Sequence, residues 1–352
     1  MKFKDFIELK RGYDLPTQKR INGDYPIVSS NGISGYHNAY QCDAPGVITG
    51  RSGTIGNTFY CDKNYWPLNT TLYVSDFKGN VPKYVFYALT AFDFQKYAGG
   101  TSVPTLNRNF LDNIEINTHT LPVQQHIVDI LGSIDDSIEN NEKIIETLEE
   151  KMLLEYDSLI SNASLSVSEM QEIFDISIGK TPPRKESHWF TENPEDVKWL
   201  SISDMGKAKV FAFDSSEKIT AEGIEKYNVK IAPENTVLLS FKLTIGKVAI
   251  TGCEMATNEA IAHFVSNDEN IVEYLYCYLK RYNFDMLGNT SSIATAVNSK
   301  TIKAMKFYYP DTESLVDFHR IAEPLIKKIK HLLITNAKLN ELKQLYLKKF
   351  FG

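Results

Sequence analysis

The feature that most limits the fold of this chain is a heptad pattern near its middle, around the Gly- and Pro-free stretch SIDDSIENNEKIIETLEEKM (residues 133–152). One seven-residue series is Leu131, Ile138, Ile145, Met152 and Leu159. The second series is Ile127, Ile134, Asn141, Leu148 and Glu155. Together they form an a/d seam of about five heptads, which predicts a long helix paired with another helix. Asn141 is a polar seam position, where the register of such a pair is typically fixed.

The C-terminal segment supplies the predicted partner helix. The spacing recurs 194 residues farther along, in the series Leu325, Leu332, Leu339 and Tyr346 and the series Ile321, Lys328, Thr335 and Leu342. Pro324 removes a backbone hydrogen bond, so we expect it to kink this helix or to begin its main part. Residues 121–160 carry a net charge of −8 and residues 311–352 carry +3, so the two segments are complementary. The sequence predicts an intramolecular antiparallel two-helix coiled coil; the alternative is two unrelated amphipathic surface helices.

The segments outside the helices repeat each other in the same order. FIELKRGYDLP (residues 6–16) matches IFDISIGKTPP (173–183), and GRSGTIGNTFY (50–60) matches SFKLTIGKVAI (240–250). The offset grows from 167 to about 190 residues, so the second copy carries an insertion of about 23 residues near its front. The repeat predicts an α+β fold with two mixed α/β domains, at 1–120 and 164–309, in a pseudo-twofold relation. Spacer helices at 121–163 and 310–352 follow the two domains.

Composition and motifs argue against several classes of function. The four cysteines, at 42, 61, 253 and 277, form no CxxC pair and have no His partner at metal-ligand spacing. We therefore expect a reducing compartment and no metal site. The start MKFKDFIELK lacks the apolar core of a signal peptide, and no apolar run reaches membrane-spanning length, which predicts a soluble cytoplasmic protein without a membrane partner. Neither GxSxG nor HExxH occurs, and GRSGTIG lacks the Lys-Ser/Thr of a Walker loop, so we expect no catalytic residue.

Two loops in each copy have the residue types that contact nucleic acid. The turns GRSGTIG and FKLTIGK carry Arg51 and Lys242, and the loops TSVPTLNR and SSIATAVNSK place Ser, Thr and Asn beside basic residues. Basic and hydroxyl side chains suit phosphate oxygens, and amides suit base edges. For any one residue, a solvated turn with capping side chains explains the pattern equally well. The candidate DNA-binding residues are Arg51, Ser52, Thr54, Thr101, Ser102, Asn107, Arg108, Arg184, Lys185, Lys242, Thr244, Ser291, Ser292, Asn298 and Lys300.

With these features the whole chain resembles the specificity subunits of type I restriction–modification systems. The resemblance rests on the order block–helix–block–helix, on the glycine turns, and on the helix segments INTHTLPVQQHIVDILGSIDDSIENNEKIIETLEEKM (116–152) and FYYPDTESLVDFHRIAEPLIKKIKHLLITNAKLNELKQLYL (307–347). It implies that each block is a target recognition domain for one half of a bipartite DNA site, and that the coiled coil spaces the blocks and docks two modification subunits. It also implies that S-adenosylmethionine, ATP and Mg²⁺ are bound by those subunits and by restriction or translocase subunits. This chain would then be non-catalytic and bind no cofactor.

Under this resemblance the central helix acts as a ruler. About 35 helical residues span roughly 50 Å and one DNA turn is about 34 Å, so the blocks would read major grooves at least one turn apart. Two alternatives stay open: a specificity subunit of a type IIB-like enzyme that cuts on both sides of its site, and a scaffold that holds two non-DNA binding modules. A DNA reader needs basic loops on one face of each block, whereas a scaffold does not.

Overall fold

The computed structural model describes residues 1–99, 105–242, 244–287 and 297–352, without the side chains of residues 285 and 286. The chain divides into two compact units. Unit 1 comprises Met1–Glu139 and Ala337–Gly352, and unit 2 comprises Asn140–Asn336. Each unit therefore combines one predicted domain with part of both predicted helices. Among the described residues, no helix is long and apolar enough to cross a bilayer.

Unit 1 is built on a four-stranded antiparallel sheet of order β1-β7-β4-β5, on which α2 packs. A second sheet has the order β3-β2-β6, and β8 pairs with β9. The helix α2 begins at a proline, whose missing N–H costs nothing in a first helical turn. The strands are β1 (Glu8–Arg11), β2 (Tyr25–Ser29), β3 (Gly32–His37), β4 (Gly46–Gly50), β5 (Thr58–Cys61), β6 (Trp66–Pro67), β7 (Thr71–Asp76), β8 (Ala98–Gly99) and β9 (Thr105–Leu106). The helices are α1 (Phe3–Phe6), α2 (Pro82–Ala91) and α3 (Arg108–Leu111), with 3-10 turns at Thr17–Lys19 and Phe94–Tyr97.

A long helix, α4 (Leu121–Asn162), leads from unit 1 into unit 2. The strands of unit 2 are β10 (Ser166–Glu169), β11 (Asp175–Ile178), β12 (Phe190–Thr191), β13 (Val197–Leu200), β14 (Phe211–Ala212), β15 (Glu217–Ile219), β16 (Ile231–Ala232), β17 (Val237–Ser240), β18 (Val248–Thr251), β19 (Met255–Thr257), β20 (Ile261–Val265) and β21 (Lys306–Tyr309). The helices that follow are α5 (Met170–Ile173), α6 (Ile202–Lys207), α7 (Ala221–Tyr227), α8 (Val272–Arg281), α9 (Ser299–Lys303) and α10 (Thr312–Phe351), with 3-10 turns at Ser187–Trp189, Glu269–Ile271 and Phe284–Leu287. The sheets have the orders β11-β20-β17-β18-β14, β12-β15-β13-β19-β16 and β10-β21.

The two units repeat one sheet topology, which confirms the predicted α+β fold with an internal repeat. The order β1-β7-β4-β5 recurs as β11-β20-β17-β18, with β14 added at the edge. The backbone hydrogen bonds recur as well: Gly12 N to Thr71 O at 3.1 Å corresponds to Gly179 N to Ile261 O at 3.0 Å. The final glycines of the two TIG turns have the same backbone conformation, with φ +85° at Gly56 and +86° at Gly246. Only glycine adopts such angles without strain.

The insertion predicted for the second copy lies between β11 and β17. The offset between equivalent residues is 167 at Gly12 and Gly179, and it is 190 at Gly50 and Ser240. Within this segment unit 2 has α6 and α7 and three additional strands. Two of them, β12 and β16, extend the counterpart of the three-stranded sheet to five strands, and β14 joins the edge of the other sheet.

The long helices are part of the hydrophobic core of each unit. In unit 1, Leu131 of α4 and Leu347 of α10 pack with Tyr84. In unit 2, Met152 of α4 and Ile329 of α10 pack with residues of α8 and β20. The two helices run antiparallel in unit 2, since Asn141 contacts Asn336 whereas Tyr156, farther along α4, lies against Phe318. Of the predicted seam, Leu131, Ile145, Met152 and Leu332 are buried and Ile138, Leu325, Leu339 and Tyr346 are half-buried.

The second seam series predicted for the C-terminal helix is wrong by one residue. Ile321 and Leu342 are 45% and 40% exposed, and the buried positions are Ala322, Ile329 and Asn336. Ala322, Ile329 and Asn336 align with seam residues of α4 when the two helices are compared at an offset of 191 residues. The same offset relates Ile114 to Met305, which make matching backbone hydrogen bonds. Pro324 lies inside α10, which starts twelve residues earlier at Thr312, so it does not begin the main part of this helix.

Candidate nucleic-acid interface

The two loops predicted to contact DNA meet in unit 1. The end of the second loop pairs with the GRSGTIG turn through a bridge between Ser52 and Thr105. Leu106 N donates to Arg51 O at 2.8 Å, and Arg51 N donates to Thr70 O at 2.9 Å. The backbone of Arg51 is thus held by hydrogen bonds on both sides, which fixes the point from which its side chain extends.

A cleft of about 870 Å³ opens beside this junction and is lined by four cationic side chains, Lys10, Arg11, Arg51 and Arg108. Among the described residues that line it, none is acidic. Four positive charges around one concave surface produce a field that attracts and orients a polyanion. Arg51, Asn107 and Arg108 were predicted from the sequence and lie together here. We call this surface the basic cleft.

The cations of the basic cleft are oriented by neutral or weak partners. Arg108 Nη1 donates to the carbonyl of Leu9 at 3.1 Å, and Arg51 Nη1 approaches the carbonyl of Asn69 at 3.4 Å. A guanidinium carries five N–H donors, so one carbonyl orients it without neutralising its charge. Lys10 Nζ lies 3.6 Å from Glu8, in a half-exposed pair of the kind that contributes little. The cleft therefore keeps most of its positive charge.

Aromatic rings complete the basic cleft. Tyr13 and Tyr73 stack with their centroids 5.9 Å apart, and their hydroxyl oxygens are 2.9 Å apart. Burial, together with this hydrogen bond, raises the pKa of Tyr73, so its hydroxyl stays protonated. Phe110 is 62% exposed at the rim. Tyr13 and Phe110 thus present exposed ring surface beside the arginines of the cleft.

Several predicted residues have roles in the fold itself. Asn107 caps α3 by accepting from Asn109 N at 3.1 Å, and Asn298 caps α9 by accepting from Lys300 N at 2.9 Å. Arg184 pairs with Glu217 at 2.7 Å and lies over the ring of Phe190 at 3.9 Å. Thr54 donates to the side chain of Asn31. For Asn107 and Asn298 the capping alternative therefore holds, and Arg184 is occupied by contacts within unit 2.

In unit 2 the predicted residues lie on separate segments. Lys185, Lys242, Thr244 and Lys300 are exposed, and Lys242 Nζ is 5.4 Å from the centroid of the Phe241 ring. Lys242 is not the equivalent of Arg51: the matching turns place Ser52 opposite Lys242, and Arg51 opposite the buried Phe241. Thr101, Ser102, Ser291 and Ser292 lie outside the described residues.

Sequence reasoning missed two cations of the basic cleft, Lys10 and Arg11, and its aromatic residues Tyr13, Tyr73 and Phe110. A signal for the first two was present in the matched segments, since Lys10 and Arg11 precede Gly12 whereas Ser177 and Ile178 precede Gly179. An exposed phenylalanine such as Phe110 gives no such signal without coordinates.

Comparison with known proteins supplies the family. The sequence matches the family described as "Type I restriction modification DNA specificity domain" over residues 1–150 and 164–344. The type I restriction enzyme HindI specificity subunit of Haemophilus influenzae is 25% identical over 187 residues, which are 52% of this chain and 40% of that protein. The MjaIX specificity subunit of Methanocaldococcus jannaschii is 26% identical over 154 residues, 42% of this chain and 34% of that protein. The chain thus matches less than half the length of either relative.

Other relatives match over nearly the whole chain. A putative type I specificity subunit of Mycoplasma pneumoniae is 23% identical over 337 residues, which are 92% of this chain and 88% of that protein. The crystal structure of a type I restriction-modification S subunit from M. genitalium covers 100% of this chain and 95% of its own, with a TM-score of 0.63 and 18% identity, and shows the same fold. With its domain matched twice along the sequence, this chain belongs to the type I restriction–modification specificity family.

Proposed function

We propose that this chain is the DNA-recognition subunit of a type I restriction–modification enzyme, in which each unit reads one half of a bipartite, asymmetric DNA site. The observation that carries the proposal is the basic cleft of unit 1, where both predicted DNA loops meet around four cations. Duplex DNA presents a dense row of phosphates, and cationic side chains that displace its counterions supply most of the non-specific affinity. Sequence would be read by the polar side chains of neighbouring loops.

The two halves of the site are expected to differ in sequence. The units share a topology but not their loop side chains, as the replacement of Arg51 by Phe241 illustrates. Because base readout depends on a few side chains at groove edges, different side chains on one scaffold select different bases. Lys185, Lys242 and Lys300, on separate segments, are exposed cations through which unit 2 would make individual phosphate contacts.

The paired helices α4 and α10 would set the spacing of the half-sites and bind two modification subunits. Large apolar side chains are exposed along helices that already bury one face, which supports such docking. These side chains are Leu121, Val123, Leu154, Ile321, Ile334, Leu342 and Leu345. S-adenosylmethionine would be bound by the modification subunits, and ATP and Mg²⁺ by restriction or translocase subunits. This chain would supply specificity and no catalytic group.

Selection from a random duplex pool tests the proposal. The full chain is co-produced with its modification subunits, and bound duplexes are sequenced after several rounds. We expect a motif with two unlike specified halves and an unspecified gap of fixed length. Absence of any enriched motif would contradict DNA recognition and favour a scaffold. An uninterrupted motif would contradict the division of the site between two units.

A further inference from the structure

The four cations of the basic cleft have no charged equivalents in unit 2. Matching backbone hydrogen bonds and matching helix caps pair the residues of the two units at offsets of 167, 190 and 191. The equivalents of Lys10, Arg11, Arg51 and Arg108 are Ser177, Ile178, Phe241 and Ser299. Each cation is thus replaced by a neutral side chain, although the scaffold that carries it is retained.

The rest of the sequence does not restore this charge in unit 2. Residues 288–296, which correspond to the loop before Thr105, read GNTSSIATA and contain no charged residue. Lys180 replaces Tyr13 and Lys300 follows Ser299, and both lysines are exposed. Unit 2 as a whole has 22 Lys and Arg against 29 Asp and Glu, whereas unit 1 has 16 against 15.

We propose that the basic cleft is a phosphate anchor present in unit 1 alone, so that the two halves of a bound DNA site are held by different forces. The inference rests on the proposed function and adds that the two units hold their half-sites by different interactions. Arg11, Arg51 and Arg108 present guanidinium groups, which bind phosphate oxygens through paired N–H donors. Unit 1 holds its half-site mainly through the phosphate backbone of the DNA. The half-site on unit 2, a unit with a net charge of −7, depends more on its base contacts.

The consequence is an unequal dependence on salt. Each phosphate neutralised in duplex DNA contributes about 0.9 to the slope of log affinity against log salt concentration. Loss of two anchor arginines therefore lowers that slope by about two. It also shrinks the fall in affinity between 50 and 200 mM NaCl by about tenfold. Removing Lys180 and Lys300 from the equivalent surface of unit 2 lowers the slope by less than one.

The test uses the full chain with its modification subunits, a duplex carrying the complete site, and fluorescence anisotropy at several NaCl concentrations. The unit 1 variant is Arg11→Ala/Arg108→Ala and the matched unit 2 variant is Lys180→Ala/Lys300→Ala. Arg11→Lys/Arg108→Lys keeps both charges and is expected to keep the wild-type slope. Thermal unfolding shows whether each variant is folded.

The outcomes separate this inference from the proposed function. A slope that falls by about two in the unit 1 variant and by less than one in the unit 2 variant supports the anchor. Equal falls in both, or an unchanged slope in the folded unit 1 variant, overturn the anchor while DNA recognition stands. A wild-type complex that binds the site no better than unrelated duplex overturns the proposed function itself.

Discussion

At the residue scale, Arg51 is a predicted DNA contact whose backbone is fixed by hydrogen bonds on both sides. Its backbone is bonded to Thr70 and Leu106, and its side chain lines the basic cleft. Arg51→Ala is expected to weaken binding to all duplexes by a similar factor and to lower the salt slope by about one. Lys242→Ala is expected to act in the same direction through its own turn. Both effects are read from affinities for specific and unrelated duplexes at several salt concentrations, and an unchanged slope would remove the residue from the interface.

His263 predicts a pH dependence of the stability of unit 2. Burial lowers its pKa from 6.5 to about 4, and its ring nitrogens lie 3.0 Å from Ser177 Oγ and 2.6 Å from Thr257 Oγ1. Below pH 6.5 His263 binds a proton in the unfolded chain, whereas in the folded chain it does so only near pH 4. The stability contributed by neutral His263 is therefore complete above pH 6.5 and is lost as pH falls towards 4. The shift corresponds to about 3 kcal/mol.

The His263→Gln variant isolates this effect. Glu273 opposes it, because burial raises the pKa of that carboxyl and favours the folded state as pH falls. The free energy of unfolding of the wild type should fall by about 2–3 kcal/mol more than that of the variant between pH 7 and pH 4.5. Denaturant titrations at the two pH values measure the difference, and parallel losses would show that His263 does not titrate between them.

At the element scale, the seam hydrogen bond of the coiled coil specifies its register. Asn141 Nδ2 donates to Asn336 Oδ1 at 2.7 Å, and Asn336 is buried. Asn141→Leu is expected to cost about 1–3 kcal/mol, because the Asn336 amide loses this partner in an apolar seam. The double variant Asn141→Leu/Asn336→Leu should recover most of that stability while weakening the preference for one register. A double-mutant cycle of unfolding free energies gives the coupling, and additive losses would argue against a shared bond.

Element identity was predictable from the sequence, whereas fine register was not. The heptads predicted both long helices, and the matched segments predicted a repeated mixed domain with an insertion near the front of its second copy. The phase of the C-terminal helix was misjudged because an offset of 194 differs from the observed 191 by three residues, which is one step of an a/d pattern. A shift of three residues still aligns apolar positions of one helix with apolar positions of the other.

The candidate interface was predictable only in part. The sequence prediction paired Arg51 with Lys242 because each turn has one basic residue. It ignored that the two residues are one position apart in the aligned turns. Lys10 and Arg11 reach the basic cleft because β1 pairs with β7 at the edge of the sheet, a long-range pairing that no local pattern contains. Capping by Asn107 and Asn298 was foreseen as an alternative, and only the coordinates show that these side chains cap α3 and α9.

At the scale of the whole molecule, the proposal assigns the spacing of the half-sites to α4 and α10. Seven residues added to both helices extend the coiled coil by about 10 Å, or about three base pairs of DNA, and keep its heptad phase. Insertions between Asn140 and Asn141 and between Asn336 and Ala337 leave the Asn141–Asn336 layer intact. A four-residue insertion at the same points serves as the control, since it breaks the phase and should be tolerated less well.

The measurement that tests the account most directly maps the DNA positions methylated by the assembled enzyme, for the wild type and for the seven-residue insertion variant. We expect a wild-type motif of two unlike halves, and in the variant the same two halves separated by about three more base pairs. The half-sequences should not change, because the residues of the basic cleft lie outside both helices. An active, folded variant that methylates at the original spacing would contradict the account.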